Sequence, residues 1–473
     1  MNIKFGTDGW RGVISDDFTF ANARIVAQAI ADYLLDQQKG QRGIVIGYDA
    51  RFLSARYAEE VARVIAANGI KVFLSNKVAA TPVVSFAVKN LRAGGGLMIT
   101  ASHNPADYNG IKFKGEYGGS ALPEMTAHIE KLLRRTQIKT VPLSHPLIHR
   151  FDADADYLNH LRRIINRSAI SAARFRVVVD PMHGAGRGYL RTLLKELGIE
   201  VVEIRGEPHP SFGGINPEPI PPNLAALSQA VLRYKAQVGL ATDGDADRMG
   251  AVDDRGEFVT SHYIYALILR HLVEERGWQG GVAKTFSTTL MIDRLAQKYG
   301  LRVFETPIGF KYICELFLEE ADLLMGGEES GGFTVRNHIP ERDGILASLL
   351  LLEVMAVRKQ NLRQLVQSLK QEIGSFYYER VDLPISGHQK ETLMGHLQDH
   401  PPKNFGPLAV VQTKNLDGLK FMLESQGWIL FRPSGTEPMV RIYVEADSEQ
   451  KVKKVLEEGQ KIYYRARRWG RLM

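Results

Sequence analysis

Three times along the chain a helical stretch closes on a glycine that opens a strand. The copies are Asn68-Gly69-Ile70-Lys71-Val72, Leu197-Gly198-Ile199-Glu200-Val201 and Tyr299-Gly300-Leu301-Arg302-Val303. Glycine suits the left-handed residue that ends a helix. After each copy a short apolar run leads into a polar loop: Leu97-Met98-Ile99 into TASHNP, Val238-Gly239-Leu240 into ATDGDADR, and Leu323-Leu324-Met325 into GGEESGG. Earlier apolar runs, Ile44-Val45-Ile46, Val177-Val178-Val179 and Val282-Ala283-Lys284, precede helical patterns such as 58–67 and 289–298. Short apolar runs alternating with helical periodicity mark βαβ units. The expected fold is α/β: three similar α/β domains with mixed sheets, each aiming one loop at a shared cleft. Parallel sheets bind ligands at the carboxyl ends of their strands.

Beyond Gly374 the pattern changes to alternating strands and helices around the loop RPSGTEP at 432–438, which reads as a smaller C-terminal α+β domain. Breaks near Pro142–Pro146, Asp254–Gly256 and Ile373–Phe376 give expected domains 1–146, 147–255, 256–373 and 374–473. A length of 473 residues agrees with several domains of about 100–200 residues each. With 44% hydrophobic and 24% charged residues, disordered, collagen-like and disulfide-scaffold classes are excluded. The single cysteine, Cys314, forms no internal disulfide, which suggests a reducing, cytoplasmic setting. The start of the chain has no apolar stretch of signal-peptide type, and the most apolar run, 345–352, is far short of the ~18 residues a membrane span needs. A net charge of +7 is modest and suits small anionic substrates as well as nucleic acid. The basic residues are dispersed and no recognition module occurs, so no nucleic-acid partner is expected. The basic stretch YYRARRWGR at 463–471 reads as a solvated helix end.

The loops carry the chemistry. Asp243, Asp245 and Asp247 alternate after a buried-looking strand, so an extended loop turns their oxygens to one side, where a hard divalent cation can collect them. An EF-hand is excluded because Arg248 and Asp254 stand where Gly and Glu are required. Carboxylates without His or Cys favour Mg²⁺ over zinc. A second alternating run, Asp152, Asp154 and Asp156, reads as charge at a helix start. Ser102 offers a hydroxyl on a tight turn. The hydrolase elbow G-x-S-x-G is absent there, and at Ser330 its first glycine is replaced by Glu328. A phosphoserine beside Mg²⁺ would have its charge neutralised. Arg432, Ser434, Gly435 and Thr436 combine a forked donor, hydroxyls and an open amide, a fit for phosphate. Glu328 and Ser330, set between glycines, suit hydrogen bonds to sugar hydroxyls. The glycine loop 183–188 suggests a dinucleotide turn of a nicotinamide-dependent oxidoreductase, but Tyr189 stands where the third glycine belongs.

Taken in order, FGTDGWRG (5–12), TASHNP (100–105), DGDADR (243–248), GEESGG (327–332) and RPSGTEP (432–438) resemble the α-D-phosphohexomutases, the phosphoglucomutase/phosphomannomutase superfamily, along the whole chain. The resemblance implies four domains around one cleft, the last binding phosphate. It also implies an isomerase in which phosphorylated Ser102 gives its phosphoryl group to a hexose monophosphate and recovers one from the 1,6-bisphosphate. Ser102, Asp243, Asp245 and Asp247 would hold one Mg²⁺. Lys112, in YNGIKFK, would act as general base or acid in a cationic setting, with Arg11 and His103 near the reacting phosphate. Arg248 would orient the metal loop or the phosphate, Glu328, Ser330 and Lys311 would contact the sugar, and Arg432, Ser434, Gly435 and Thr436 the distal phosphate. Mannose-preferring members commonly end the sugar loop in His, where this chain has Gly332. The TASHNP loop and TPIGFK at 306–311 look more like the glucose branch, and Trp10 stands where glucosamine-type relatives have Ile. The expected substrates are therefore glucose phosphates, with glucose 1,6-bisphosphate as intermediate and activator. Mannose or glucosamine phosphates, or net bisphosphate synthesis, are the alternatives. Hexose phosphates are the only partners expected, with the chain a monomer or dimer.

Overall fold

A computed structural model describes residues 3–6, 9–133, 137–320, 322–435 and 438–469. The chain divides into two compact units, Met1–Ala283 with Gly309–Leu365, and Lys284–Ile308 with Val366–Met473.

In the first unit, strand Ile44–Tyr48 lies parallel to Val72–Ser75 on one side and to Gly95–Ile99 on the other. Tyr108–Gly115 returns antiparallel to Gly95–Ile99, and Gly9–Val13 adds antiparallel beyond it. Every residue of Ile44–Tyr48 and Gly95–Ile99 is buried, which explains their unbroken apolar character. Helix Ser54–Ala67 covers this sheet with Ala58, Val61, Ala62 and Ile65, the i, i+3, i+4, i+7 face of a 3.6-residue repeat. Strand Ile148–Phe151 lies beyond the expected break at 146 and pairs parallel with Val72–Ser75, so it extends the first sheet. The run Asp152–Asp156 does open a helix, Asp154–Ile164, and Lys77 bridges Asp152 and Asp154.

The second sheet repeats the plan. Arg176–Asp180 lies between parallel Glu200–Glu203 and Val238–Thr242, and Met249–Val252 returns antiparallel. In the third, Phe333–Val335 returns antiparallel to Leu323–Gly327. TASHNP, DGDADR and GEESGG are thus the same structural element three times, the connection from a buried strand to its antiparallel return. Gly69, Gly198 and Gly300, which close the preceding helices, all have positive φ, as their position after a helix predicts. Three similar α/β domains with mixed sheets and a C-terminal domain make up the chain.

The second unit holds a six-stranded sheet in the order Tyr377–Pro384, Met439–Ala446, Gly427–Pro433, Leu419–Leu423, Leu408–Lys414, Asn404–Phe405, antiparallel throughout. Helices Gly387–Asp399 and Glu449–Trp469 accompany it over a core that includes Leu393, Phe421, Phe431 and Val455. The first helix starts in a capping box of Ser386 and Gln389.

Candidate active site

Ser102 is fully buried and has φ 54°, a left-handed conformation that a non-glycine residue holds only where its surroundings impose it. Here they do. Its N–H donates to Thr100 Oγ1 (2.9 Å), and Thr100 donates to Asp49 Oδ2 (2.6 Å). The Arg51 guanidinium donates to four carbonyl oxygens of the same loop, those of Ser102, Asn104, Pro105 and Tyr108, at 2.6–3.0 Å. Arg51 is itself held by Asp49 (3.3 Å) and covered by the Phe212 ring. The strain at Ser102 is therefore locked from beneath, and Oγ donates to Asp243 Oδ2 at 2.9 Å. His103 Nδ1 lies 3.4 Å from Ser102 Oγ, and Arg11 donates to Asn104 Oδ1 at 2.7 Å.

The metal-loop aspartates Asp243, Asp245 and Asp247 are all fully buried, with one carboxylate oxygen each within 4.8 Å of the others. Burial first, then the charges of Asp247 and Asp245, push the Asp243 carboxyl well above its usual range. Asp247 moves the other way: burial opposes its charge, but Arg342, Lys112 and Arg248 outweigh it and hold the carboxyl low. One oxygen of each neighbour is saturated. Asp245 Oδ2 accepts from Thr81 (2.5 Å) and Lys112 (2.8 Å), and Asp247 Oδ2 from Lys112 (2.9 Å) and Arg342 (2.8 Å). Asp245 Oδ1 and Asp247 Oδ1 are buried and accept no hydrogen bond. Orphaned carboxylate oxygens at a convergence of like charges fit a hard divalent cation, and all-oxygen donors suit Mg²⁺. The loop is pressed close to its neighbours. A side chain at Gly244 would meet the Ser102 carbonyl, and one at Gly184 would meet the Gly244 carbonyl at 2.6 Å. Gly184 and Gly186 therefore make room for the metal loop rather than for a dinucleotide.

Lys112 is buried between Asp245 and Asp247, so the cationic setting expected for it is corrected: carboxylates surround its ammonium on the metal-loop side. Glu328 accepts from Arg342 (3.0 Å), while burial raises its carboxyl against that cation. Ser330 Oγ is buried and makes no hydrogen bond. Met249 N–H donates to Gly331 O (3.0 Å), which ties the GEESGG loop to the return strand of the DGDADR loop. Arg248 donates its backbone N–H to Asp243 Oδ1 (3.1 Å), and Lys311 sits on helix Phe310–Glu319 with Nζ over Tyr312.

In the second unit, Arg432 Nε donates to Asp417 Oδ2 (3.0 Å), which also accepts the Ile308 N–H (2.9 Å). Ser434 N–H donates to Met439 O, Lys390 Nζ donates to Ser434 O (2.6 Å), and Gly435 is exposed. Thr436 lies outside the described residues.

Models of the four phosphoglucomutase/phosphomannomutase domains match in order. Alpha/beta/alpha domain I covers 2–139, domain II 155–256, domain III 260–373, and the C-terminal domain 402–460. The chain belongs to the phosphoglucomutase/phosphomannomutase family. It is therefore of the phosphohexomutase class, which are isomerases of the phosphotransferase kind. It is similar to a Thermococcus kodakarensis phosphoglucomutase/phosphomannomutase, 30% identical over 98% of each chain. A Thermococcus gammatolerans protein named "probable phosphoglucosamine mutase" is 31% identical over 98% of each. The crystal structure of a "putative phosphomannomutase" from Thermus thermophilus superposes with a TM-score of 0.87 and 38% identity, covering 97% of this chain and 98% of that one.

Within this phosphohexomutase, the first unit gathers Ser102, His103, Lys112 and the three aspartates around one buried cluster, joined through Arg342 to Glu328. Sequence reasoning missed Arg342 and Arg51. Arg342 sits in Pro340-Glu341-Arg342-Asp343-Gly344 just before a helix, and Arg51 two residues after Asp49 in YDARF. Both stand beside other charged residues, so no local signal sets them apart from solvated cations. Among the described residues, no helix is long and apolar enough to cross a membrane.

Proposed function

We propose that the chain interconverts glucose 1-phosphate and glucose 6-phosphate through a phosphorylated Ser102 and glucose 1,6-bisphosphate. The observation that carries the reading is the Ser102 hydroxyl, buried on a strained turn 2.9 Å from Asp243, beside aspartates whose inner oxygens accept no hydrogen bond. Asp243, Asp245 and Asp247, with the serine phosphate, would hold Mg²⁺, which when bound neutralises charge on the transferring phosphoryl group. Such transfer depends mainly on positioning and electrostatics. In the first transfer the Oγ–P bond breaks as the sugar 6-oxygen bonds phosphorus, and the hydroxyl proton passes to Lys112 as the proton Lys112 already carries shifts onto its partner Asp245. In the return transfer the P–O1 bond of the bisphosphate breaks, Oγ is phosphorylated again, and Lys112 returns the proton to O1. Arg11 and His103 steady the phosphoryl oxygens, Arg248 orients the metal loop, and Glu328, Ser330 and Lys311 hold the sugar. Arg432, Ser434, Gly435 and Thr436 bind the phosphate that is not being transferred.

Glucose is favoured over mannose by position 332. A side chain there would run into Cβ, Cγ and Cδ of Arg342, the residue that bridges Asp247 and Glu328. The histidine expected of mannose-preferring relatives has no room while that bridge stands. Intact mass spectrometry should show a phosphorylated fraction that disappears in Ser102→Ala, together with turnover. A panel of glucose, mannose and glucosamine 1-phosphates, with and without added bisphosphate, should rank glucose first. A phosphoryl group mapped to another residue, or a different sugar ranked first, would overturn the corresponding part of the reading.

A further inference from the structure

Strand Tyr108–Gly115 carries two buried lysines on one face, Lys112 and Lys114, two residues apart. Lys112 meets the metal loop. Lys114 meets Glu341, Nζ to Oε2 at 2.6 Å, and both side chains are completely buried. Ser120, paired with Lys114 across the turn of the hairpin, donates to both oxygens of Glu341 (3.0 and 3.2 Å). The fit is close: a side chain at Gly119 would meet the Pro340 carbonyl and Cys314 Sγ. Glu341 also accepts the backbone N–H of Arg342 at 3.0 Å, so the carboxylate that receives Lys114 fixes the residue reaching Asp247 and Glu328.

An ion pair this deep is weak evidence for stability, because desolvation of both charges offsets their attraction. Its geometric effect is different. Through Glu341, the strand that carries Lys112 determines where the Arg342 backbone begins its reach. We infer that Lys114 and Glu341 are a positioning pair that sets Arg342 between the metal loop and the sugar loop. The inference rests on the mutase reading above. Both side chains are completely buried against each other and Ser120. Their effect lies in the placement of Arg342, and an error of about 1 Å in a supporting residue is enough to cost turnover.

The test compares the full chain with the neutral double variant Lys114→Met/Glu341→Gln and with Glu341→Asp. The double variant removes both charges together and leaves no unpaired ion. Glu341→Asp keeps the charge and shortens the reach, so it remains informative if the double variant does not fold. Thermal midpoint, kcat and KM for glucose 1-phosphate, and the phosphorylated fraction are read together. The double variant should keep the wild-type midpoint while kcat falls by about tenfold or more, with KM and Ser102 phosphorylation little changed. Glu341→Asp should lose kcat in the same direction by a smaller factor. Wild-type kcat in either folded variant would overturn the inference while the mutase reading stood. A wild-type chain that converts none of the three sugar phosphates would overturn the reading and this inference with it.

Discussion

Each unit buries a cluster of charge, and the two are built on opposite plans. In the first, three carboxylates converge within 4.8 Å, two of their oxygens accept no hydrogen bond, and Ser102 and Ala246 beside them have positive φ. In the second, the signs alternate. Lys284 pairs with Asp293, and Glu305 accepts from Lys414 (3.0 Å) and Lys420 (3.4 Å). Lys420 also donates to the Phe286 carbonyl (2.7 Å) and lies 4.2 Å from the centre of the Trp428 ring. Glu445 accepts from Leu290 N–H and Trp428 Nε1 (2.8 and 3.0 Å). Burial alone therefore does not mark a site. Convergence of like charge on a strained backbone does, because the cations of the fold saturate only one oxygen each of Asp245 and Asp247 and leave the other without a hydrogen bond.

The largest effect that could break this contrast is expected at Asp243. Asp243→Asn removes one charge from the crowded triad while keeping its shape. The metal-free variant should melt no lower than wild type, yet lose turnover by at least about 10²-fold. Mg²⁺ should raise the melting temperature of wild type by binding the folded chain, and that rise should shrink in the variant. A variant that melts much lower without metal would show the triad to be structural, like the cluster in the second unit. The corresponding change there, Glu445→Gln, should leave turnover within about twofold, as expected of a residue with no assigned part in the chemistry.

A smaller loss is expected at Arg342. Arg342→Lys keeps a cation beside Asp247 but loses the fork that reaches Glu328 as well. Turnover should fall by about tenfold, the size of losing one charge-assisted hydrogen bond of roughly 1.5 kcal/mol. Steady-state kinetics with glucose 1-phosphate reads the change. An unaltered rate would mean that one arm of the bridge suffices.

Much of this was legible in the chain. The three strand–loop–return units follow from apolar runs and the glycines at 69, 198 and 300, since local backbone preference and burial act over a few residues. The aspartate triad was visible because alternation is a local geometric code. What escaped was the set of residues that reach across the fold: Arg51 under the serine loop, Arg342 between two loops, Lys114 against Glu341. Arg51 finds the Ser102 carbonyl 51 positions away and Lys114 finds Glu341 227 away, and no local pattern distinguishes a buried cation from a solvated one. The surroundings of Lys112 escaped for the same reason, as Asp245 and Asp247 approach it from another domain. Strand Ile148–Phe151 is half exposed, so it lacked the apolar run that announced the others.

The smallest effect on turnover, and the sharpest on stability, is expected at Lys420. Burial, and then the charge of Lys284, lower its ammonium from 10.5 to about 8, with Glu305, Glu445 and Asp293 opposing the shift. Between those values the unfolded chain binds more protons at this residue than the folded chain does. Its contribution to stability therefore rises with pH from about 8 upward. Burial holds the Cys314 thiol up, and that group pulls the other way once an unfolded thiol ionises. The informative quantity is therefore the difference between wild type and Lys420→Met, measured by denaturant unfolding of the full chain at about pH 8 and about pH 9.5, which spans roughly half of that rise. Wild type should gain stability on the variant across that interval while both retain turnover within about twofold. A constant difference would mean that Lys420 keeps its proton throughout, held by Glu305 as firmly as the cations of the first unit are held by its aspartates. In that case the two clusters would differ in how their charges are arranged, and not in how tightly they hold them.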